Sequence, residues 1–173
     1  MGYEVAAALG CELDLLLVRK VGTPGHEELA MGAVAEGDVT VIHDPVVAAA
    51  GVSEDELEAA ITQARVELEL AASKYRTRPV KDISGHCAVI VDDGLATGST
   101  ARAGVDAARA RGAREVWVTA PVAPPSTVGE LERFADRVVV VQQPLRFMAV
   151  GAWYRDFTQV NDGEVRRLIA EAG

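Results

Sequence analysis

Two rhythms of apolar residues run along this chain. Short unbroken apolar runs fit strands buried on both faces, and stretches whose apolar residues recur every three or four positions fit amphipathic helices. The first helical stretch, Gly2–Leu9, ends at Gly10, a residue type suited to closing a helix. Residues 13–18, with Leu13, Leu15, Leu16, Leu17 and Val18, are expected to form a buried strand that closes on two cations, Arg19 and Lys20. Residues 21–37 hold four glycines and a proline with little periodicity, so a long mobile loop is expected there. Val39, Val41 and His43 alternate with Thr40 and Ile42, predicting a strand over 38–44 that pairs antiparallel with residues 13–18. Ser53-Glu54-Asp55-Glu56 is a capping box, and Leu57, Ala60, Ile61, Ala64, Leu68, Ala71 and Tyr75 carry helical spacing to about Arg76. The apolar stripe of that helix is core or a homodimer surface.

Beyond a proline-containing link at 76–85, the pattern becomes strand then helix, repeated. Residues 88–91 read as a buried strand, 101–111 as an alanine-rich helix, 115–122 as a strand, 126–135 as a helix and 137–141 as a strand. Pro124-Pro125 forces extended backbone before each proline and leaves Ser126 as a helix cap. Residues 162–172 close the chain as a helix. Alternation of this kind predicts an α/β fold in three layers with a mainly parallel sheet, and the length fits one domain spanning 1–173.

The chemistry concentrates between the 88–91 strand and the next helix, in Asp92-Asp93-Gly94-Leu95-Ala96-Thr97-Gly98-Ser99-Thr100. Glycines at 94 and 98 let backbone approach a ligand, and successive N–H groups leading into a helix start make an anion cradle. Thr97, Ser99 and Thr100 add hydroxyls, and Ser99 or Thr100 can cap the helix. Ionised Asp92 and Asp93 only accept hydrogen bonds, as vicinal sugar hydroxyls or a hydrated metal ion require. One end suits phosphate and the other hydroxyls, so the segment fits a phosphorylated sugar. Neither a dinucleotide fingerprint nor a Walker loop is present.

Residues 88–100 resemble the 5-phosphoribosyl-1-pyrophosphate (PRPP) motif of the type I phosphoribosyltransferases: four apolar residues, Asp-Asp, then a Thr-Gly-x-Thr loop. The resemblance extends over about 3–157 and implies transfer of a 5-phosphoribosyl group to a nitrogen acceptor such as a nucleobase, with release of pyrophosphate and use of Mg²⁺. It places Asp92 and Asp93 at the ribose and the metal, Gly94, Leu95, Ala96, Thr97, Gly98, Ser99 and Thr100 around the 5-phosphate, and Lys20, with Arg19 beside it, at the leaving pyrophosphate. Gly94 stands where relatives more often have an apolar residue or Ser. The 21–37 loop would be the lid; it carries no Lys or Arg, and His26 is its one candidate cation among Glu27, Glu28 and Glu36. The tail at 147–157 would be a small hood over the acceptor, with Trp153 expected buried and Tyr154 expected exposed and substrate-binding. Relatives begin with a further strand and pyrophosphate loop, so the chain reads as N-terminally shortened, with either a direct pairing of the 13–18 and 88–91 strands or a gap between them. A non-catalytic PRPP-binding or nucleotide-binding regulatory module and a truncated, inactive homologue are the alternatives.

Composition changes this picture little. The chain has 173 residues, 49% of them hydrophobic and 25% charged, as in ordinary globular proteins. A net charge of −9 opposes nonspecific binding to nucleic acid or an anionic membrane, though a local basic pocket remains compatible with it. No apolar run approaches the length of a bilayer span. Cys11 and Cys87 sit beside apolar runs and are expected buried and reduced, which favours a cytoplasmic location.

Overall fold

The structure is a computed structural model, and the residues it describes are 1–76, 78–158 and 160–171, with the side chains of Glu27 and Glu28 outside that description. It is an α/β fold with two three-stranded sheets. Strands β1 (Val18–Thr23), β2 (His26–Ala35) and β3 (Val39–Ile42) form an antiparallel sheet in that order, while β4 (Cys87–Val91), β5 (Glu115–Val122) and β6 (Arg137–Gln142) form a parallel one. Among the described residues no ladder joins the two sheets.

The expected mobile loop at 21–37 is a β-hairpin instead. Pro24 and Gly25 make a two-residue connection with Gly25 at φ 75°, as a type II turn demands, and Thr23 pairs with His26 across it. The glycine content that suggested a loop has a packing cause at Gly32. A Cβ there would collide with the Val41 carbonyl oxygen, so β3 can pair with β2 only if this position is bare. Val21, Met31 and Val34 then become core, packed against the inner stripe of helix α3 (Glu54–Tyr75) at Ala64 and Leu68. The β3 strand forms as expected, yet its partner is β2 and not residues 13–18.

Residues 13–17 are not a strand; the ladder starts only at Val18. Their leucines are half-buried, with Leu17 packed on the α3 side and Leu16 against Gly104 and Ile90. Their backbone is held from outside by Arg76, whose guanidinium donates to the Leu15 carbonyl at 2.9 Å and binds the carboxylates of Asp14 and Glu36. Strand β4 accordingly has a ladder partner on one side, β5, and among the described residues none on the other.

Helix prediction fared better, because capping and periodicity act locally. α1 (Gly2–Leu9) closes on Gly10 in the left-handed conformation, and α3 starts with the reciprocal Ser53–Glu56 capping box. α2 (Asp44–Ala50), with Pro45 in its first turn, has no counterpart in the sequence reading. α4 (Ser99–Ala110) starts at a Gly98 N-cap without a side-chain cap, so neither Ser99 nor Thr100 caps it. α5 (Pro125–Leu131) is capped at Pro124 rather than Ser126, because Pro125 itself suits the first helical turn. α6 (Asp162–Glu171) follows the expected span; Ala172 lies outside the described residues. Of these helices α4 matters most for the site. Ala101, Val105 and Ala108 join Val116, Val118, Val128 and Leu131 in one core, and the helix also packs on β1, β2 and β3.

Cys11 and Cys87 are exposed free thiols, contrary to the burial expected for them: Cys11 follows the α1 cap and Cys87 opens β4 at its unpaired edge. Partial burial and the nearby Glu115 carboxylate push the Cys87 thiol pKa up, which keeps it protonated. No described helix is long and apolar enough to cross a membrane.

Candidate active site

Strand β4 ends at Val91, opposite Thr119, while β5 runs on to Val122, and Asp92 extends the ladder with an N–H bond to the Thr119 carbonyl at 3.0 Å. Here the chain leaves the sheet. Asp92 is half-buried and accepts the Asp93 N–H at 2.8 Å, whereas Asp93 is exposed. Burial raises the Asp92 pKa, and the neighbouring Asp93 charge pushes the same way, against the N–H groups of Asp93 and Gly94 that favour ionisation. The two carboxylates therefore differ: one is partly shielded and more reluctant to ionise, the other open to solvent.

From Gly94 onward the loop is fastened at several points. Leu95 is 2% exposed, its side chain in the α4–β5 core and its N–H bonded to the Val122 carbonyl at 3.0 Å. The structure thus gives Leu95 an anchoring position, with both side chain and N–H directed into the protein. Ala96 and Thr97 are exposed, and Gly98, at φ 72°, is buried. Thr97 Oγ1 and Ser99 Oγ are 3.1 Å apart, and Thr100 is exposed in the first turn of α4. The Ser99 N–H donates to Thr97 Oγ1 at 3.4 Å, and the other N–H groups of that turn, with the hydroxyls beside them, form a donor-rich rim of the kind that binds anions.

Lys20, far away in sequence, arrives at this rim from the other sheet. Its Nζ donates to Ser99 Oγ at 3.3 Å. Arg19 does not join it; alternation along β1 sends the guanidinium elsewhere, and Nη1 donates to the Val18 carbonyl at 3.0 Å. His26 is exposed at the tip of the β1–β2 hairpin. Glu36 is committed to Arg76, and the side chains of Glu27 and Glu28 lie outside the described ones.

The tail folds onto the acidic end. A short 3-10 turn, Val150–Trp153, packs over Gly94, where a Cβ would meet Val150 Cγ1 at 2.5 Å. This explains a glycine at that position. Tyr154 donates its hydroxyl to the Asp93 carbonyl and packs its ring on Phe157 with centroids 5.1 Å apart. Burial, and the Asp93 and Asp92 charges, raise its pKa. Tyr154 is half-buried; Trp153, expected buried, is 42% exposed, and Phe157 is 48% exposed. The turn is held down by Val150 and Tyr154, which leaves the other rings facing solvent.

Two clusters went unnoticed in the sequence. Thr127 on α5 is 5% exposed and donates to the Ala96 carbonyl at 2.7 Å. Asp106, about two turns into α4, accepts from Arg102 Nε at 3.0 Å and lies 3.0 Å from His43 Nε2, while the Arg102 guanidinium stacks on Phe134. The Thr127–Ala96 and His43–Asp106 contacts join distant segments, which no local motif marks; the Arg102–Asp106 pair is spaced i,i+4 along α4, a signal the sequence does carry.

The arrangement joins a paired carboxylate, an anion rim and a lysine at the carboxyl ends of parallel strands, where open α/β sheets bind ligands. Compared with known protein families, residues 1–149 match the Phosphoribosyl transferase domain. The chain belongs to this family. Proteins of two Mycobacterium tuberculosis strains that carry the phosphoribosyl transferase name, without an acceptor in it, are 41% identical over 181 residues, an alignment covering 100% of this chain and 41% of each relative. The chain thus spans about two fifths of the length of those relatives. The crystal structure of TT1426 from Thermus thermophilus is similar to this one with a TM-score of 0.90 and 40% identity, over 98% of this chain and 81% of that one. Family membership makes the chain a member of a transferase family with an α/β fold, as the 88–100 motif implied.

Proposed function

We propose that this chain binds PRPP and transfers its 5-phosphoribosyl group to a nitrogen acceptor, releasing pyrophosphate. The observation that carries the reading is the meeting of Lys20 on β1 with Ser99 at the start of α4, 3.3 Å apart, beside a loop that begins with Asp92 and Asp93. In it the carboxylates accept the ribose hydroxyls, residues 96–100 hold the 5-phosphate and Lys20 neutralises the leaving pyrophosphate. Leu95 contributes as the loop's anchor, Gly94 by letting the tail seat, and Arg19 through its place beside Lys20. Reaction at the sugar carbon builds positive charge as pyrophosphate leaves, so positioning and charge stabilisation suffice and no protein nucleophile is required.

The donor set fits Mg²⁺, which takes one or two carboxylates and completes its shell with water and phosphate oxygens. Asp92 and Asp93 are the residues that would hold it, and its chemistry would be to offset the phosphate charge. The exposed rings of Trp153 and Phe157, with Tyr154 between them held to the Asp93 carbonyl, offer aromatic surface for a planar acceptor such as a nucleobase.

A binding module without turnover is the second reading, favoured by the turn of Arg19 away from the rim, which leaves Lys20 as the cation seen at Ser99. Pyrophosphate release separates the two. Incubation of the chain with PRPP, Mg²⁺ and a panel of nucleobases and simple amines should yield pyrophosphate with at least one acceptor. Tight PRPP binding without release from any of them would favour the module, and absence of PRPP binding would refute both.

A further inference from the structure

The loop assigned to phosphate is shaped by a residue outside it. Thr127 lies on α5, with its hydroxyl buried against the Ala96 carbonyl at 2.7 Å and its methyl beside Gly98. In a planar trans peptide the carbonyl of one residue and the N–H of the next point in opposite directions. Fixing the Ala96 carbonyl towards α5 therefore turns the Thr97 N–H away from α5, to the exposed side of the loop that carries the Thr97 hydroxyl. That N–H has no backbone acceptor among the described residues. Released from Thr127, the 96–97 peptide is free to rotate and present a carbonyl oxygen, which repels an anion, where a donor stood.

We propose that Thr127 is a positioning residue for anion binding: its hydroxyl sets the orientation of the 96–97 peptide so that the Thr97 N–H faces the phosphate. The proposal rests on the reading of 96–100 as a phosphate cradle. Its chemistry is local, however, and makes a separate forecast. Gly98 belongs to the same device, because any side chain there would occupy the place of the Thr127 methyl, with a Cβ 2.8 Å from it. Leu95 and Thr127 then hold the loop at two consecutive residues, one by its N–H to the Val122 carbonyl and the other through the Ala96 carbonyl.

The test compares Thr127→Val, which keeps the shape and removes the hydroxyl, with Thr127→Ser, which keeps the hydroxyl. Ribose 5-phosphate is titrated by calorimetry and by amide NMR of the labelled chain, and thermal unfolding is followed alongside. In the wild type the Thr97 amide should shift on ligand addition while the Leu95 amide, already bonded, moves little. Thr127→Val should bind about tenfold more weakly, with the Thr97 response lost and the fold intact; Thr127→Ser should restore both. Equal affinity in Thr127→Val, or a Ser variant as weak as the Val variant, would overturn the proposal. So would a wild type that binds the ligand without movement at Thr97, a result that needs no variant. A wild type that binds neither ribose 5-phosphate nor PRPP would instead remove the phosphate-cradle reading, and the proposal with it.

Discussion

Replacing Gly98 by alanine tests how the loop is held. Two costs add. The residue sits at φ 72°, where a Cβ meets the chain's own carbonyl, a penalty of about 1 kcal/mol relative to glycine. The new methyl would also stand 2.8 Å from Thr127 Cγ2 and 3.2 Å from Leu131 Cδ1, both on α5 side chains that are themselves buried, and overpacking of this kind costs about 1–3 kcal/mol. Gly98→Ala should therefore lose about 2–4 kcal/mol of stability. Gly25→Ala is the internal control, because its φ is 75° but a Cβ there meets nothing within 4 Å. It should lose only the backbone part, about 1 kcal/mol. Urea unfolding of the three proteins, with equal slopes, gives the difference directly. Gly98→Ala should also bind ribose 5-phosphate more weakly, since relief of the clash must displace either α5 or the loop. If the two alanine variants prove equally stable, the close packing of α5 on the loop is refuted.

Asp93→Asn should weaken PRPP binding in Mg²⁺ by about 1.5–3 kcal/mol in calorimetry without loss of fold, the range for a hydrogen bond to a charged group; unchanged affinity would remove the acidic pair from the site. Because burial holds the Asp92 pKa above the ordinary carboxylate range, its protonated form favours the native state: that stability is present below the unfolded pKa and is lost as pH rises through the folded one. Ligand affinity runs the opposite way, falling as pH drops through the raised pKa, and in titrations from neutral to mildly acidic pH this Asp92 limb should be missing from Asp92→Asn. Trp153→Ala, at a ring that is 42% exposed, should impair acceptor use while thermal unfolding and PRPP affinity hold, and parallel losses of all three would make the ring merely structural. Arg76→Met should cost about 3–5 kcal/mol in urea unfolding, because it strands the half-buried Asp14 and Glu36 carboxylates; a neutral result would show them solvated.

What the sequence revealed was local. The 88–100 segment carries its strand, its acidic pair and its loop within thirteen positions, so neighbours in sequence are neighbours in space, and β4, β5 and β6 were legible because strand, turn and helix signals alternate cleanly. Lys20 was placed beside that segment through resemblance, and the structure records its contact with Ser99. The failures share one cause. Gly32 looks like a loop residue in a linear reading, but it sits in β2 and is bare because Val41 of β3 lies against it. Residues 13–17 have the composition of a strand, yet a strand requires a partner edge, and composition does not supply one. Trp153 followed the same logic in reverse: a large ring predicts burial, but burial needs a covering segment, which residue type alone does not supply, and the ring is 42% exposed.

The division into two sheets has a consequence for how a ligand is measured. Lys20 is mounted on one ladder and the acidic pair on another, and no row of backbone hydrogen bonds among the described residues crosses between them. Within a ladder, spacing is locked to a fraction of an ångström; between ladders it is set by side-chain packing, with α4 wedged against both and Lys20 reaching Ser99 on that helix. The two jaws of the caliper can therefore creep apart by sliding on an alanine-faced helix without breaking a strand pair. A molecule gripped at both ends would act as a rivet through the joint. Saturation with such a ligand should slow amide exchange along β1 and β4 together, two edges that share no bond of their own.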